Sequence, residues 1–163
     1  RYNENRKFHE LNNVNFQLAI DAKKIHKKLS GLNWITPKFK DNPEKEINLI
    51  NQIFSILKKD TRKKMVITNY PFFSVILEED LHAPSRVYTG DGTTHPLKDS
   101  DFTLNYKKMM DNLILKNNIS VIYVIDKTDE NVIFHYLDLY QHCYEKISLH
   151  SQLESYELKN CND

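Results

Sequence analysis

Glycine is scarce in this chain of 163 residues, with 3 in all, and two of them, Gly90 and Gly92, fall in one polar stretch. That scarcity leaves no room for a phosphate-cradling loop, a dinucleotide fingerprint or a G-x-S-x-G nucleophile elbow, so NTPase and elbow-type hydrolase chemistry are not indicated. No motif asks for a cofactor. Charge of one sign is also missing: 23 lysines and arginines face 22 acids, a net of +1. A balance that even makes no general case for nucleic acid as a partner. No apolar stretch is long enough to cross a bilayer, and no apolar signal core follows Arg1. What remains is 40% hydrophobic and 28% charged, the composition of a globular chain with enough length for one core.

Only two cysteines occur, Cys143 and Cys161, near the end of the chain. Between them lie Ile147-Ser148-Leu149 and Leu153-Glu154-Ser155-Tyr156-Glu157-Leu158, alternating apolar and polar as two half-buried strands do. A β-hairpin over this segment brings its ends together, and the cysteines then come within the reach of a disulfide. A bridge implies an oxidising compartment. The competing account is a pair of ordinary thiols, one of them a small buried hydrophobe.

Elsewhere the pattern alternates between helix and strand. Asn13-Val14-Asn15 can cap a helix running to about Leu29, with Phe16, Ala19, Ile20 and Ile25 as a partial stripe and Gly31 as its stop. Asp41-Asn42-Pro43 is a helix start, followed by Ile47, Ile50, Ile53, Phe54 and Leu57 at helical spacing. Lys64 to Tyr70 is a buried strand, and Phe72 to Leu77 a short helix. A polar excursion runs from Glu78 to Asp99. Ser100 or Asp99 then caps a helix carrying Phe102, Tyr106, Met109, Met110, Leu113 and Ile114 on one face. Ile119 to Ile125 is a continuous apolar run suited to a strand covered on both faces. Asp129 or Thr128 opens a further helix through Leu137. The expected fold is an α/β three-layer sandwich with a partly parallel sheet and a C-terminal β-hairpin. Residues 1–12 are expected to be a polar lead-in from an upstream, membrane-linked region, and residues 13–163 a single α/β domain.

Ligands of open parallel sheets bind beyond the carboxyl ends of the strands. Those ends deliver Asn69, Tyr70 and Asp126, and the excursion brings Ser85, Arg86, Tyr88, Asp91 and His95 toward the same edge. These eight residues form the candidate ligand-binding set. Arg86 can grip a carboxylate or phosphate with paired hydrogen bonds, and Tyr70 and Tyr88 can offer flat faces to a sugar ring. The bland alternative has Asn69 and Asp126 capping turns and Arg86 tied to neighbouring carboxylates. Asp99-Ser100-Asp101 matches a D-x-D metal and nucleotide pattern, but helix capping accounts for it better. Glu157-Leu158-Lys159 with Asp126 resembles half of a metal-dependent nuclease site, on a common three-residue pattern. His82 and His95 with Glu78, Glu79 and Asp80 match no zinc spacing. No catalytic residue and no metal ligand can be assigned.

Several stretches taken in order carry a resemblance: Arg6-Lys7-Phe8-His9-Glu10-Leu11, Gly31-Leu32-Asn33-Trp34-Ile35-Thr36-Pro37, Asn42-Pro43-Glu44-Lys45-Glu46-Ile47, Val66-Ile67-Thr68-Asn69-Tyr70, Pro84-Ser85-Arg86, and the closing Cys143 to Cys161. Together they resemble the soluble C-terminal domain of bacterial multi-pass membrane proteins that look like C-type-fold, lipid-linked-sugar glycosyltransferases. The resemblance implies a domain after the last membrane span, on the periplasmic or extracellular face of a bacterial membrane. Its partners would be the transmembrane part of the same polypeptide and a glycan or lipid-linked sugar. In such enzymes the catalytic acid sits in a loop between early membrane helices, so no catalytic residue carries over. The expected function is a non-catalytic accessory or binding domain. The alternative is a free-standing α/β enzyme with a metal-assisted site at the strand edge.

Overall fold

The computed structural model describes residues 13–88, 94–97, 100–125, 143–150 and 152–159. They divide into two compact units, one of residues 1–59 with 75–77 and one of residues 60–74 with 78–163.

In the first unit the helix expected from Asn13 to Leu29 does not form. The chain instead makes three single 3-10 turns, Phe16–Leu18, Ala22–Lys24 and Lys27–Leu29, and a two-residue strand, β1 (Ile20–Asp21). Each turn has a local competitor for the helical ladder: the side chains of Asn15, Asp21 and His26 accept from the N–H two residues on. Such side-chain bonds favour caps and turns over helix interiors. Ala22, Ile25 and Leu29 still point inward, whereas Phe16 and Leu18 are exposed. β1 pairs antiparallel with β2 (Asn33–Trp34), and Gly31 makes the link at φ +85°.

The helix expected after Asn42 does form, as α1 (Pro43–Lys59). Asn42 Oδ1 accepts from the Lys45 N–H at 3.1 Å, and proline occupies the first helical position. Ile47, Ile50, Ile53 and Leu57 are buried along one face, with Leu49 beside them. Glu46, fully buried, ties the earlier segment to α1 by accepting from Trp34 Nε1 at 2.9 Å and Thr36 Oγ1 at 2.8 Å.

The second unit is built on a mixed sheet. β3 (Lys64–Ile67) runs parallel to β4 (Val121–Ile125), and the C-terminal hairpin supplies β5 (Tyr144–His150) and β6 (Leu153–Leu158). The order is β3-β4-β6-β5, so β6 enters the sheet beside β4 and the hairpin is part of the main sheet. The α/β reading with a partly parallel sheet and terminal hairpin therefore holds. In sequence, α2 (Phe73–Leu77), whose residues 75–77 belong to the first unit, and α3 (Thr103–Asn117) come between β3 and β4. One face of the sheet presents Met65, Ile67, Ile122, Val124 and Tyr156 to Met110 and Ile114 of α3. The other face carries Lys64, Val66, Val121, Tyr123 and Ile125, all buried. Two-sided burial explains why β4 reads as an unbroken apolar run.

The expected face of α3 is only half right. Met110 and Ile114 are buried and Tyr106 and Leu113 pack beside them, but Phe102 and Met109 are exposed. Nor does Ser100 take the cap position of this helix: Phe102 holds it, and Ser100 Oγ accepts from the Phe102 N–H at 3.2 Å in the turn before it, while Asp99 lies outside the described residues. The helix expected over residues 129–137 lies outside the described residues.

Candidate functional site

β3 is an edge strand of the described sheet, and its outer edge is occupied by the excursion rather than open to solvent. The Val66 N–H donates to the Leu81 carbonyl at 3.1 Å, and the Tyr88 N–H donates to the Thr68 carbonyl at 2.8 Å. Residues 78–88 thus form a strap along β3, which protects an edge that would otherwise invite strand pairing. Two left-handed residues shape the strap, Glu78 at φ 57° and His82 at φ 50°. Asp80 Oδ1 accepts from the His82 N–H, and the Glu78 N–H bonds back to the Ser74 carbonyl.

At the carboxyl end of β3, Thr68 Oγ1 accepts from the Tyr70 N–H at 3.0 Å and fixes a tight turn. Tyr70 and Tyr88 are each only 6% exposed. Tyr70 packs with Phe72 and Phe73 at ring distances of 5.7 and 6.2 Å. Tyr88 lies flat on His95, ring centres 4.6 Å apart and planes within 7°, with its hydroxyl 3.4 Å from His95 Nε2. Neither ring is an open platform for a sugar; both serve packing. Ser85 Oγ donates to the Val87 carbonyl at 2.6 Å and holds the strap's turn. Asn69 and Arg86 are exposed. Arg86 has no ion-pair partner among the described residues, so no carboxylate described here pins it. Asp91 and Asp126 lie outside the described residues. Of the expected residues, Tyr88 and His95 are in contact with each other, and the backbone bond from Tyr88 to Thr68 brings the Arg86–Tyr88 segment beside Thr68 and Asn69.

The other sequence patterns do not converge on a reaction centre. Glu157 pairs with Arg62 at 2.9 Å while Lys159 pairs with Glu145 at 2.6 Å, so the nuclease-like triplet is split between two ion pairs. Glu79 bonds Lys64, and His82 lies 3.5 Å from Asp80. Among the described residues no three His, Cys, Asp or Glu side chains gather as a metal site. Asp101 is exposed, and Asp99 is outside the described residues.

Sequence reasoning missed the tightest polar network. Asp60 accepts from the Tyr123 hydroxyl at 2.6 Å and from Arg62 Nη2 at 2.8 Å, and Arg62 Nη1 reaches Glu157. Burial alone would raise the Asp60 carboxyl, but the Arg62 side chain, the Tyr123 hydroxyl and the Arg62 N–H outweigh it and hold its pKa down to about 2. Burial first, then the bond to Asp60, push Tyr123 up to about 12. The Arg62 guanidinium is raised above its ordinary value, chiefly by its hydrogen bond to Asp60. This network joins the segment before β3 to β4 and β6, at the amino ends of the parallel strands. That is the end opposite to where ligands of such sheets sit, so its role is to lock the sheet. The only sequence trace of it is Asp60-Thr61-Arg62, the spacing of a side-chain turn; Tyr123 was hidden in an apolar run.

A second unforeseen group stands on the α3 face. Glu154, 3% exposed, accepts from the Tyr156 hydroxyl at 3.0 Å and lies 3.3 Å from Lys146 Nζ. Pairing of β4, β5 and β6 places Glu154 level with Val124 and Ser148, near the carboxyl end of β4. Comparison with known proteins finds no matching family model, no matching curated protein and no matching solved structure.

Proposed function

We propose that this chain is a binding domain without catalytic activity of its own, part of a multi-pass membrane protein related to lipid-linked-sugar glycosyltransferases, and working outside the cytoplasm. Its ligand is anionic, a glycan or lipid-linked sugar phosphate, and it binds at the carboxyl edge of β3. The observation that carries this reading is Arg86: an exposed guanidinium with no ion-pair partner among the described residues, on a strap held by backbone bonds to β3. A rigid anchor beneath an exposed fork of donors is what bidentate capture of a phosphate or carboxylate needs. Asn69 supplies a neighbouring amide.

The proposal includes a disulfide between Cys143 and Cys161. Cys143 is buried, and the Lys159 N–H donates to its carbonyl just past the last ladder pair, Tyr144 with Leu158. Two further residues carry the chain to Cys161, a span of about 7 Å if extended.

An NMR titration with anionic glycan and lipid-phosphate fragments tests the site. The expected shifts centre on Asn69, Arg86 and Tyr88 and disappear in Arg86→Ala; shifts confined to other faces would overturn the assignment. The residues encoded upstream of Arg1 test the setting. Several apolar spans are expected there, and a lone signal peptide would sink the membrane reading.

A further inference from the structure

Charge that balances over the whole chain is segregated between the two units. Residues 13–59 carry nine lysines against Asp21, Asp41, Glu44 and Glu46, a net of +5 with histidine neutral. The described part of the second unit carries nine cations and nine acids. The excess is concentrated in Lys23-Lys24-Ile25-His26-Lys27-Lys28. Here the two 3-10 turns bury Ala22, Ile25 and Leu29, and all four lysines stand outside. Lys23 lies 3.6 Å from Asp21 and Lys24 3.0 Å from Glu44, both pairs in open solvent where such contacts neutralise little. Lys27 has no ion-pair partner among the described residues.

Large apolar side chains are exposed on segments adjoining the lysines. Phe16 is 62%, Leu32 56% and Leu18 44% exposed. Backbone contacts keep them local to the lysines: the Ala22 N–H donates to the Leu32 carbonyl at 2.8 Å, and β1, next after the Phe16–Leu18 turn, pairs with β2.

We infer that this lysine-rich, apolar-studded face of the first unit docks on an anionic lipid bilayer surface. A second copy of the chain would bring like charges together. A soluble polyanion would meet the lysines but leave Phe16, Leu18 and Leu32 in water. A bilayer interface satisfies both, with ammonium groups among anionic headgroups and apolar side chains in the headgroup–acyl boundary. The inference rests on the membrane setting proposed above and adds the surface that faces the lipid.

Co-sedimentation of the 163-residue chain with vesicles tests it independently of the Arg86 titration and of the upstream residues. Binding is expected to vesicles containing phosphatidylglycerol and not to phosphatidylcholine alone, and to weaken as salt rises. Replacing Lys23→Gln together with Lys27→Gln should weaken it about 25-fold, taking about five-fold per lysine. Phe16→Ser with Leu32→Ser should weaken binding at unchanged salt dependence. Lys108→Gln with Lys116→Gln, on exposed positions of α3, should leave it unchanged. Circular dichroism checks that each variant is folded. Absence of phosphatidylglycerol-dependent binding by the unsubstituted chain overturns the inference. So does loss through the α3 pair instead of Lys23 and Lys27, or capture by heparin as tight as by vesicles with the Phe16 and Leu32 variants neutral.

Discussion

Asp60 accepts hydrogen bonds from Tyr123 of β4 and from Arg62 just ahead of β3, and its depressed pKa makes it an acid-sensitive lock. The unfolded chain protonates this carboxyl near its ordinary 3.8, the folded chain only near about 2. A depressed folded value means stability that is fully present above the unfolded pKa and lost as pH falls through the folded one. Between about pH 4 and pH 2 this residue should therefore lose about 2 kcal/mol of stability. Urea unfolding at pH 5 and pH 2 should show that much less acid loss in Asp60→Asn than in the unsubstituted chain. Equal loss in both would move the acid sensitivity elsewhere. Lys64 offers a sharper contrast. Its side chain is 1% exposed and its Nζ lies 2.8 Å from Glu79, which is 37% exposed. Removing the acid strands a buried ammonium, whereas removing the lysine frees a carboxylate that water can reach. Glu79→Gln is expected to cost about 2–3 kcal/mol and Lys64→Met clearly less. Denaturant midpoints for the two variants give the answer, and the reverse order would contradict the argument.

At the scale of elements, α1 was legible because every local signal agrees: an Asn cap, a proline at the first position and an apolar stripe. Asn42→Ala should cost about 1 kcal/mol through loss of its bond to the Lys45 N–H, read as a shift in thermal unfolding. β4 and the hairpin were equally legible, one from an unbroken apolar run and the other from alternation. The segment from Asn13 to Leu29 was not. Its partial stripe has helical spacing, but Asn15, Asp21 and His26 each bond a nearby N–H and close separate turns. Three local bonds prevail over the helix propensity of Leu18, Ala19, Ala22, Lys23 and Lys24. α3 misled in another way. Phe102 and Met109 are apolar and periodic yet exposed, because apolar spacing marks a helix without naming the side that meets a sheet.

For the whole molecule, the hairpin's position matters more than its existence. β6 sits inside the sheet against β4, so a bridge closing the hairpin braces the sheet as well as the chain end. The proposed bridge between Cys143 and Cys161 is expected to contribute about 3 kcal/mol for a loop near this length. Mass spectrometry without reductant should find the two cysteines linked, and reductant should lower the unfolding midpoint. Two freely alkylated thiols in the native protein would contradict it.

Apolar periodicity, capping residues and alternation determined by themselves that the chain is α/β, that a helix begins at Pro43, that a buried strand ends at Ile125 and that a hairpin precedes the terminus. These are local properties, written in the spacing of neighbouring side chains. Only the tertiary structure decided the pairings that join distant positions. Tyr123 meets Asp60, Lys64 meets Glu79, and the strap from Glu78 to Tyr88 lies along β3 where the sequence showed only a polar excursion. Tyr70 and Tyr88 turned inward for the same reason. Whether an aromatic ring faces a ligand or the core depends on which element closes over it, and that is settled by packing between segments the sequence keeps apart.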